Sequence, residues 1–125
     1  MYTMDDVEQM LNQIADDIPA EFFRDLNGGI MLLERCEQHP ESAGDLYTLG
    51  EYSNRHDMGR HICIYYGSFM RLYGDAPEDV LRAELRGTLL HEFTHHLESL
   101  AGMRDLEIRD QIRLDEYRRI HQRNR

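Results

Sequence analysis

The residues best suited to chemistry are His91, Glu92 and His95, which form the pattern H-E-x-x-H. In a helix, residues four apart lie on one face, so both imidazoles can reach a single Zn²⁺ ion. The glutamate between them projects to the side, where it can take a proton from a metal-bound water. The spacing therefore predicts a zinc site with His91 and His95 as ligands and Glu92 as general base. The competing interpretation is a structural module with two ordinary surface histidines.

The surrounding sequence predicts the helix that this pattern needs. Asp75 can cap its N-terminus, and Pro77 suits its first turn. Gly102 is a natural end, because glycine adopts a left-handed conformation at no steric cost. The expected helix has about 26 residues and a length of roughly 39 Å, which makes it the central element of the chain.

The two faces of this helix differ in character when each residue is placed ~100° from the last. His91 and His95 fall nearly opposite an apolar stripe, so burial of the stripe would turn both histidines into solvent or a cleft. His96 lies about 140° round from His91 and is expected to point away from the site, towards a neighbouring surface. The stripe consists of Leu85, Leu89, Phe93, Leu97 and Leu100.

A third protein ligand is expected, because catalytic zinc usually has three protein ligands and one water. Glu98 follows His95 by three residues on the same face, but the metal must lie off the helix at the level of the histidines. Asp105 could swing back towards the metal if the helix ends at Gly102. Two further histidines, His56 and His61, also remain candidates for the third ligand.

The remaining segments predict an α+β fold with a small sheet packed on the long helix, between N- and C-terminal helices. An amphipathic helix begins at Thr3, and the first strand is expected at Ile30–Cys36. Gln38–Arg60 has no sustained period and is interpreted as a long loop. His61–Tyr66 is the clearest strand, and Asp105–His121 is expected to form a separate charged helix.

Composition restricts the functional classes. The 125 residues suit a single domain spanning 1–125, and they carry 24 acidic against 14 basic side chains, which argues against nucleic-acid binding. No apolar run approaches the ~20 residues of a membrane span, and the N-terminus lacks the features of a secretory signal. We therefore expect a cytoplasmic protein without membrane contact. Cys36 and Cys63 are expected to be small buried hydrophobes on the two strands.

Several segments together resemble a known family. The metal helix reads H-E-x-x-H-H at His91–His96, and a G-x-x-D match follows at Gly102–Asp105. Leu46–Tyr52 is similar to a Leu-x-Gly-x-Tyr-like stretch, and Ile62–Tyr66 to a strand of the Ile-x-x-Tyr type. In this combination the chain resembles the bacterial minimal zincin-like metallopeptidases, which are related in their core to matrix-metalloprotease-type zincins. The glycine follows the second histidine by seven residues here, against three in the family pattern.

The resemblance implies a zincin-like fold and a zinc-dependent peptide hydrolase. It favours Asp105 as third ligand, with Glu98 as the alternative. It also implies that a peptide or protein substrate binds by strand addition along an edge strand near His61–Tyr66. Two alternatives stay open: a non-catalytic metal-binding or regulatory protein that keeps a zincin-like site, and an intracellular zincin that cleaves a dedicated repressor partner. Oligomeric state does not follow from the sequence.

Overall fold

The computed structural model describes residues 2–39 and 46–123 and has the predicted α+β architecture. Its helices are α1 (Met4–Asp16), α2 (Tyr66–Tyr73) and α3 (Glu78–Arg123), with a 3₁₀ turn at Ala20–Phe23. Its strands are β1 (Gly29–Leu33), β2 (Glu37–Gln38), β3 (Tyr47–Thr48), β4 (Gly50–Arg55) and β5 (Gly59–Tyr65). Residues 40–45, which belong to the predicted long loop, lie outside the described residues.

The main sheet is small and mixed, with the strand order β1-β5-β4. Strand β5 pairs in parallel with β1, where Ile62 lies opposite Ile30, and antiparallel with β4, where Ile62 lies opposite Tyr52. Gly59 begins β5 with φ +69°, a conformation that suits glycine in the tight connection from β4. Strands β2 and β3 form a separate antiparallel pair.

Two predictions about this region are wrong. The segment Gln38–Arg60 is not a plain loop, because it contains β3 and β4. The strand predicted at His61–Tyr66 is β5, which lies in the centre of the sheet and cannot serve as an edge strand. The edge strand that packs beside α3 is β4. Cys36 also differs from expectation, since it is exposed outside the strands, whereas Cys63 is buried on β5.

The core lies between α3, the sheet and α1. The apolar stripe of α3 is fully buried at Leu81, Leu85, Leu89 and Phe93, where it joins Ile62 and Ile64 of β5 in one cluster. Helix α1 adds its own buried stripe and begins with a capping box, in which Thr3 and Asp6 exchange side-chain to backbone hydrogen bonds of 2.8 and 3.1 Å. This packing fixes which face of α3 remains outside the core.

Helix α3 is longer than predicted. It passes through Gly102 without interruption and extends to Arg123, so the expected helix end and the separate C-terminal helix are both wrong. Gly102 is not among the residues with positive φ, and a Cβ atom built there would meet nothing within 4 Å. Residues 101–114 are exposed. Within the described part of the chain, none of the helices combines the length and apolar character needed to cross a membrane.

Candidate active site

The structure brings His91 and His95 together on the outer face of α3. Their Nε2 atoms are 3.1 Å apart, and the rings meet edge to face at a centroid distance of 4.7 Å. Two imidazole nitrogens bound to one tetrahedral zinc at 2.0–2.1 Å would lie about 3.3 Å apart. The pair therefore fits two positions of a zinc site without rearrangement of the helix.

The pair faces outwards because the opposite side of α3 is held in the core. Phe93, between the two histidines in sequence, is fully buried and packs against Phe22 and Phe23 with ring centroids 6.2 and 5.0 Å away. Rotation of the helix about its axis would expose this aromatic cluster. The core thus fixes the direction in which His91 and His95 point.

Glu92 lies beside the histidine pair but is only 6% exposed. Burial raises the pKa of its carboxyl group, and the nearby His91 and His95 act in the opposite direction. A carboxylate whose pKa is shifted towards neutrality accepts a proton more readily than an ordinary glutamate. The position and the pKa direction both suit a general base.

Glu98 lies on the other side of the His95 ring. Its Oε2 atom is 3.8 Å from Nδ1 of His95, whereas the Nε2 atom faces His91. A carboxylate at Nδ1 favours a proton on that nitrogen and leaves the Nε2 lone pair for a metal. In this rotamer the Glu98 carboxylate lies beside Nδ1 of His95 and not beside the two Nε2 atoms.

Asp105 is not brought to the histidine pair. It follows His95 by ten residues on the same continuous helix, which corresponds to roughly 15 Å along the axis. The expectation of a chain reversal after Gly102, on which this ligand depends, is therefore corrected. Among the residues that the structure describes, no three His, Cys, Asp or Glu side chains form a group that could hold a metal ion.

A cleft of about 840 Å³ lies over the histidines. One wall is the edge strand β4, which contributes Gly50, Glu51 and Tyr52. A Cβ atom at Gly50 would lie 2.8 Å from Cγ2 of Thr88 on α3, so glycine permits the close approach of strand and helix. The lining also includes Gln38, His39 and Thr48 from the β2–β3 region.

His96 has a positioning role that the sequence does not predict in detail. It is fully buried, and its Nδ1 and Nε2 atoms lie 2.8 Å from the Tyr52 hydroxyl and 2.7 Å from the Arg24 carbonyl oxygen. It therefore connects β4 and the 3₁₀ region to α3. The sequence signal for this role is the pair of consecutive histidines, His95 and His96. Consecutive residues lie about 100° apart on a helix, so one can face the cleft while the next faces the core.

Other residues of interest fall outside the histidine pair. Glu51 is at the cleft wall and accepts a 2.8 Å hydrogen bond from Tyr65, whose pKa is raised to about 12, mainly by burial. His61 is buried and lies with Nδ1 3.0 Å from the Gly59 carbonyl oxygen. His56 is exposed in the β4–β5 connection. Neither of these two histidines lines the cleft.

Comparison with known proteins supplies independent evidence. The family model described as zincin-like metallopeptidase matches residues 32–113. A solved structure of a conserved hypothetical protein from Thermus thermophilus is similar with a TM-score of 0.70 and 34% sequence identity. The match covers 81% of this chain and 99% of that chain. A comparison with curated proteins found no match.

Proposed function

We propose, from the premise that this chain belongs to the zincin-like metallopeptidase family, that it is a zinc-dependent peptide hydrolase. The observation that carries the proposal is the 3.1 Å approach of the His91 and His95 Nε2 atoms beside the buried Glu92. Two nitrogen ligands and an adjacent carboxylate of raised pKa are the groups that metal-assisted hydrolysis requires.

In this proposal His91 and His95 hold the metal, and the core fixes the direction in which both point. A bound zinc ion supplies Lewis-acid chemistry, which polarises a carbonyl group and makes a water molecule more acidic. Glu92 takes the proton from the attacking water and passes it to the leaving amine. Burial of Glu92 favours this role, because the raised pKa lets the carboxylate accept and briefly hold the proton, while the leaving amine is basic enough to remove it.

We place the substrate along β4 and not along His61–Tyr66. Strand β4 lies at the edge of the sheet and lines the cleft through Gly50 and Glu51. An extended peptide can add to such an edge through backbone hydrogen bonds, which require no particular side-chain sequence. The added strand would then carry the scissile bond across the face of the histidine pair.

The third ligand position is assigned to the cleft and not to the distal part of α3. The carboxylates that line the cleft are Glu37, Glu51, Glu92 and Glu98, of which Glu92 is proposed as the base. Glu98 has a side chain that is 69% exposed and can change rotamer at little cost, although its contact with His95 Nδ1 favours an orienting role. A water molecule in this position would instead give a weaker metal site with two protein ligands.

Zinc content is the first measurement. The purified protein should contain about one zinc per chain by elemental analysis, and His91→Ala or His95→Ala should remove it. His56→Ala is the matched control, because this histidine is exposed and outside the cleft lining. A protein that takes up no zinc from zinc-replete medium or in a calorimetric titration would contradict the metal site.

Hydrolysis is tested separately with a peptide library analysed by mass spectrometry. The zinc-loaded protein should cleave peptides, whereas Glu92→Gln should keep its zinc and fold and lose cleavage. Loss of zinc in this variant would instead make Glu92 a ligand. Cleavage that persists in this variant but is lost in His91→Ala would contradict Glu92 as the base, whereas cleavage that persists in both variants would come from a contaminating protease.

One observation favours a second function. Because the described residues present two histidine ligands but no third in place, the chain could act as a metal-binding or regulatory protein that retains a zincin-like site. Such a protein would bind zinc through His91 and His95 and cleave no peptide in the library. Its zinc affinity would also be unchanged when a peptide is added that can pair with β4.

A further inference from the structure

A second pocket lies on the side of α3 away from the histidine pair. It has a volume of about 630 Å³ and is formed between α3, the segment at Arg24 and the start of β5 at Arg60. Arg104, on its α3 wall, follows His95 by nine residues and therefore lies about 180° round the helix. The pocket is separate from the proposed zinc site and falls within the ~300–1,000 Å³ typical of sites for small ligands.

Arg60 is the least satisfied group in this pocket. Its Nε atom is buried and has no hydrogen-bond partner, and none of the ion pairs in the described part of the chain involves its guanidinium. Withdrawal of a charged donor from water without an acceptor is unfavourable. An anion held against this guanidinium would supply the missing opposite charge.

The charge of the pocket favours an anion. Arg24, Arg60 and Arg104 line it together with Asp25 and Glu107, which leaves a formal excess of one positive charge. Asp25 pairs with Arg24 at 3.8 Å, so the guanidinium groups of Arg60 and Arg104 are the ones proposed to contact an anion. The chain as a whole has a net charge of −10, so its long-range field would repel an anion. Binding of an anion would therefore depend on the local positive charges of this pocket.

The α3 wall is partly apolar. Leu100, Ala101 and Met103 contribute side chains beside Arg104. We propose that this pocket binds a small organic anion, in which a carboxylate or phosphate group contacts Arg60 and Arg104 and an apolar group lies against Leu100 and Met103. Both oxyanions suit a planar guanidinium, which can donate two parallel hydrogen bonds to either.

The probes are phenyl phosphate and benzoate, titrated calorimetrically into the 125-residue chain at constant ionic strength, with benzyl alcohol as the neutral analogue. At least one of the two anions should bind, and benzyl alcohol should not. Tighter binding of phenyl phosphate would identify a phosphate carrier as the ligand class, and tighter binding of benzoate a carboxylate. Arg60→Gln should weaken binding about tenfold or more, as expected for a charge-assisted contact away from bulk water.

Arg104→Gln provides the second variant, because this exposed helical residue can be changed without effect on the core, whereas Arg60→Gln alters a partly buried position. It should weaken binding in the same direction. Arg109→Gln is the matched control on the same helix outside the pocket and should leave the affinity unchanged. The proposal is overturned if neither anion binds, if benzyl alcohol binds equally well, or if Arg109→Gln weakens binding as much as Arg104→Gln.

Discussion

Tyr52 and His96 are joined by a hydrogen bond of 2.8 Å between the phenol hydroxyl and Nδ1, and their rings lie 5.3 Å apart. This contact connects the cleft wall on β4 to the helix that carries His91 and His95. The other ring nitrogen of His96 is occupied by the Arg24 carbonyl oxygen. The histidine that follows the cleft-facing pair is therefore a structural link between three segments.

Replacement of His96 should be strongly destabilising. His96→Ala leaves a cavity and removes the partner of both Tyr52 and the Arg24 carbonyl, so we expect a loss of about 2–4 kcal/mol in the free energy of unfolding. Tyr52→Phe removes one hydrogen bond and should cost about 1–2 kcal/mol. Urea denaturation in the presence of a chelator measures both values.

The neighbouring His95 supplies the control for this prediction. His95→Ala changes an exposed side chain on the same helix and should alter the stability of the zinc-free protein by about 0.5 kcal/mol or less. The double variant of Tyr52 and His96 should show a coupling energy of about 0.5 kcal/mol or more. Additive losses would mean that the two side chains act independently.

The parts of the fold that the sequence predicts are those governed by periodicity. The outward direction of His91 and His95 follows from 3.6-residue spacing alone, and the structure has it. The same spacing predicts the apolar stripe of α3, which is fully buried as far as Phe93 and only partly buried at Leu97 and Leu100. Strand β4 escapes prediction because its residues are mostly polar and only partly buried. Gly59 could have indicated the turn between β4 and β5. In the sequence, however, it is only one of several glycines in an irregular stretch.

The end of α3 could not be predicted from local signals. Gly102 favours a helix end, but nothing obliges glycine to adopt a left-handed conformation, and the charged residues that follow have adequate helix propensity. The continuous helix in turn decides the position of Asp105, which lies far from the site for geometric reasons that no motif contains. A contact such as that between Glu98 and His95 depends on side-chain conformations, which a sequence pattern does not predict.

Zinc affinity should distinguish the two carboxylates proposed from the sequence. Glu98→Gln should weaken zinc binding by up to about tenfold, because loss of a group that orients a ligand histidine typically costs 10–100-fold and Glu98 is well exposed. Asp105→Asn should leave the affinity unchanged. Competition with a chromogenic chelator measures both. A larger effect at Asp105 would require the chain to reverse near Gly102, against the observed helix.

The stability of the zinc-free protein should depend on pH through Glu92. Burial raises the pKa of this carboxyl group in the folded protein above the 4.5 of an ordinary glutamate. Below that value both folded and unfolded chains are protonated there, so the group carries no penalty. As the pH rises through the raised pKa, the folded state must hold a buried carboxylate and stability is lost.

Glu92→Gln should remove this loss. The variant should be more stable than the original protein at about pH 7 and close to it at about pH 4, as measured by urea denaturation with a chelator present. Glu98→Gln, at an exposed position of the same helix, should change stability by about 0.5 kcal/mol or less. A variant of Glu92 that is less stable at neutral pH would show that its charge is favourable in the fold.

The course of α3 beyond the cleft is tested at Gly102. Alanine is favoured over glycine by about 1 kcal/mol within a helix, and a Cβ atom at this position meets no neighbour within 4 Å. Gly102→Ala should therefore increase helicity by circular dichroism and slow amide exchange in residues 103–114. Because these residues are exposed, the effect on global unfolding should be small.

Gly87→Ala is the matched control, since Gly87 lies in the same helix with equally open surroundings and should gain stability whatever happens further along the chain. The two substitutions change helicity and stability in opposite directions only if α3 ends at Gly102 in a left-handed conformation. In that case Gly102→Ala would lower helicity and stability, because a side chain is disfavoured there. That result would also allow the chain to bring Asp105 towards His95, so a single substitution tests both the length of the helix and the exclusion of Asp105 from the proposed zinc site.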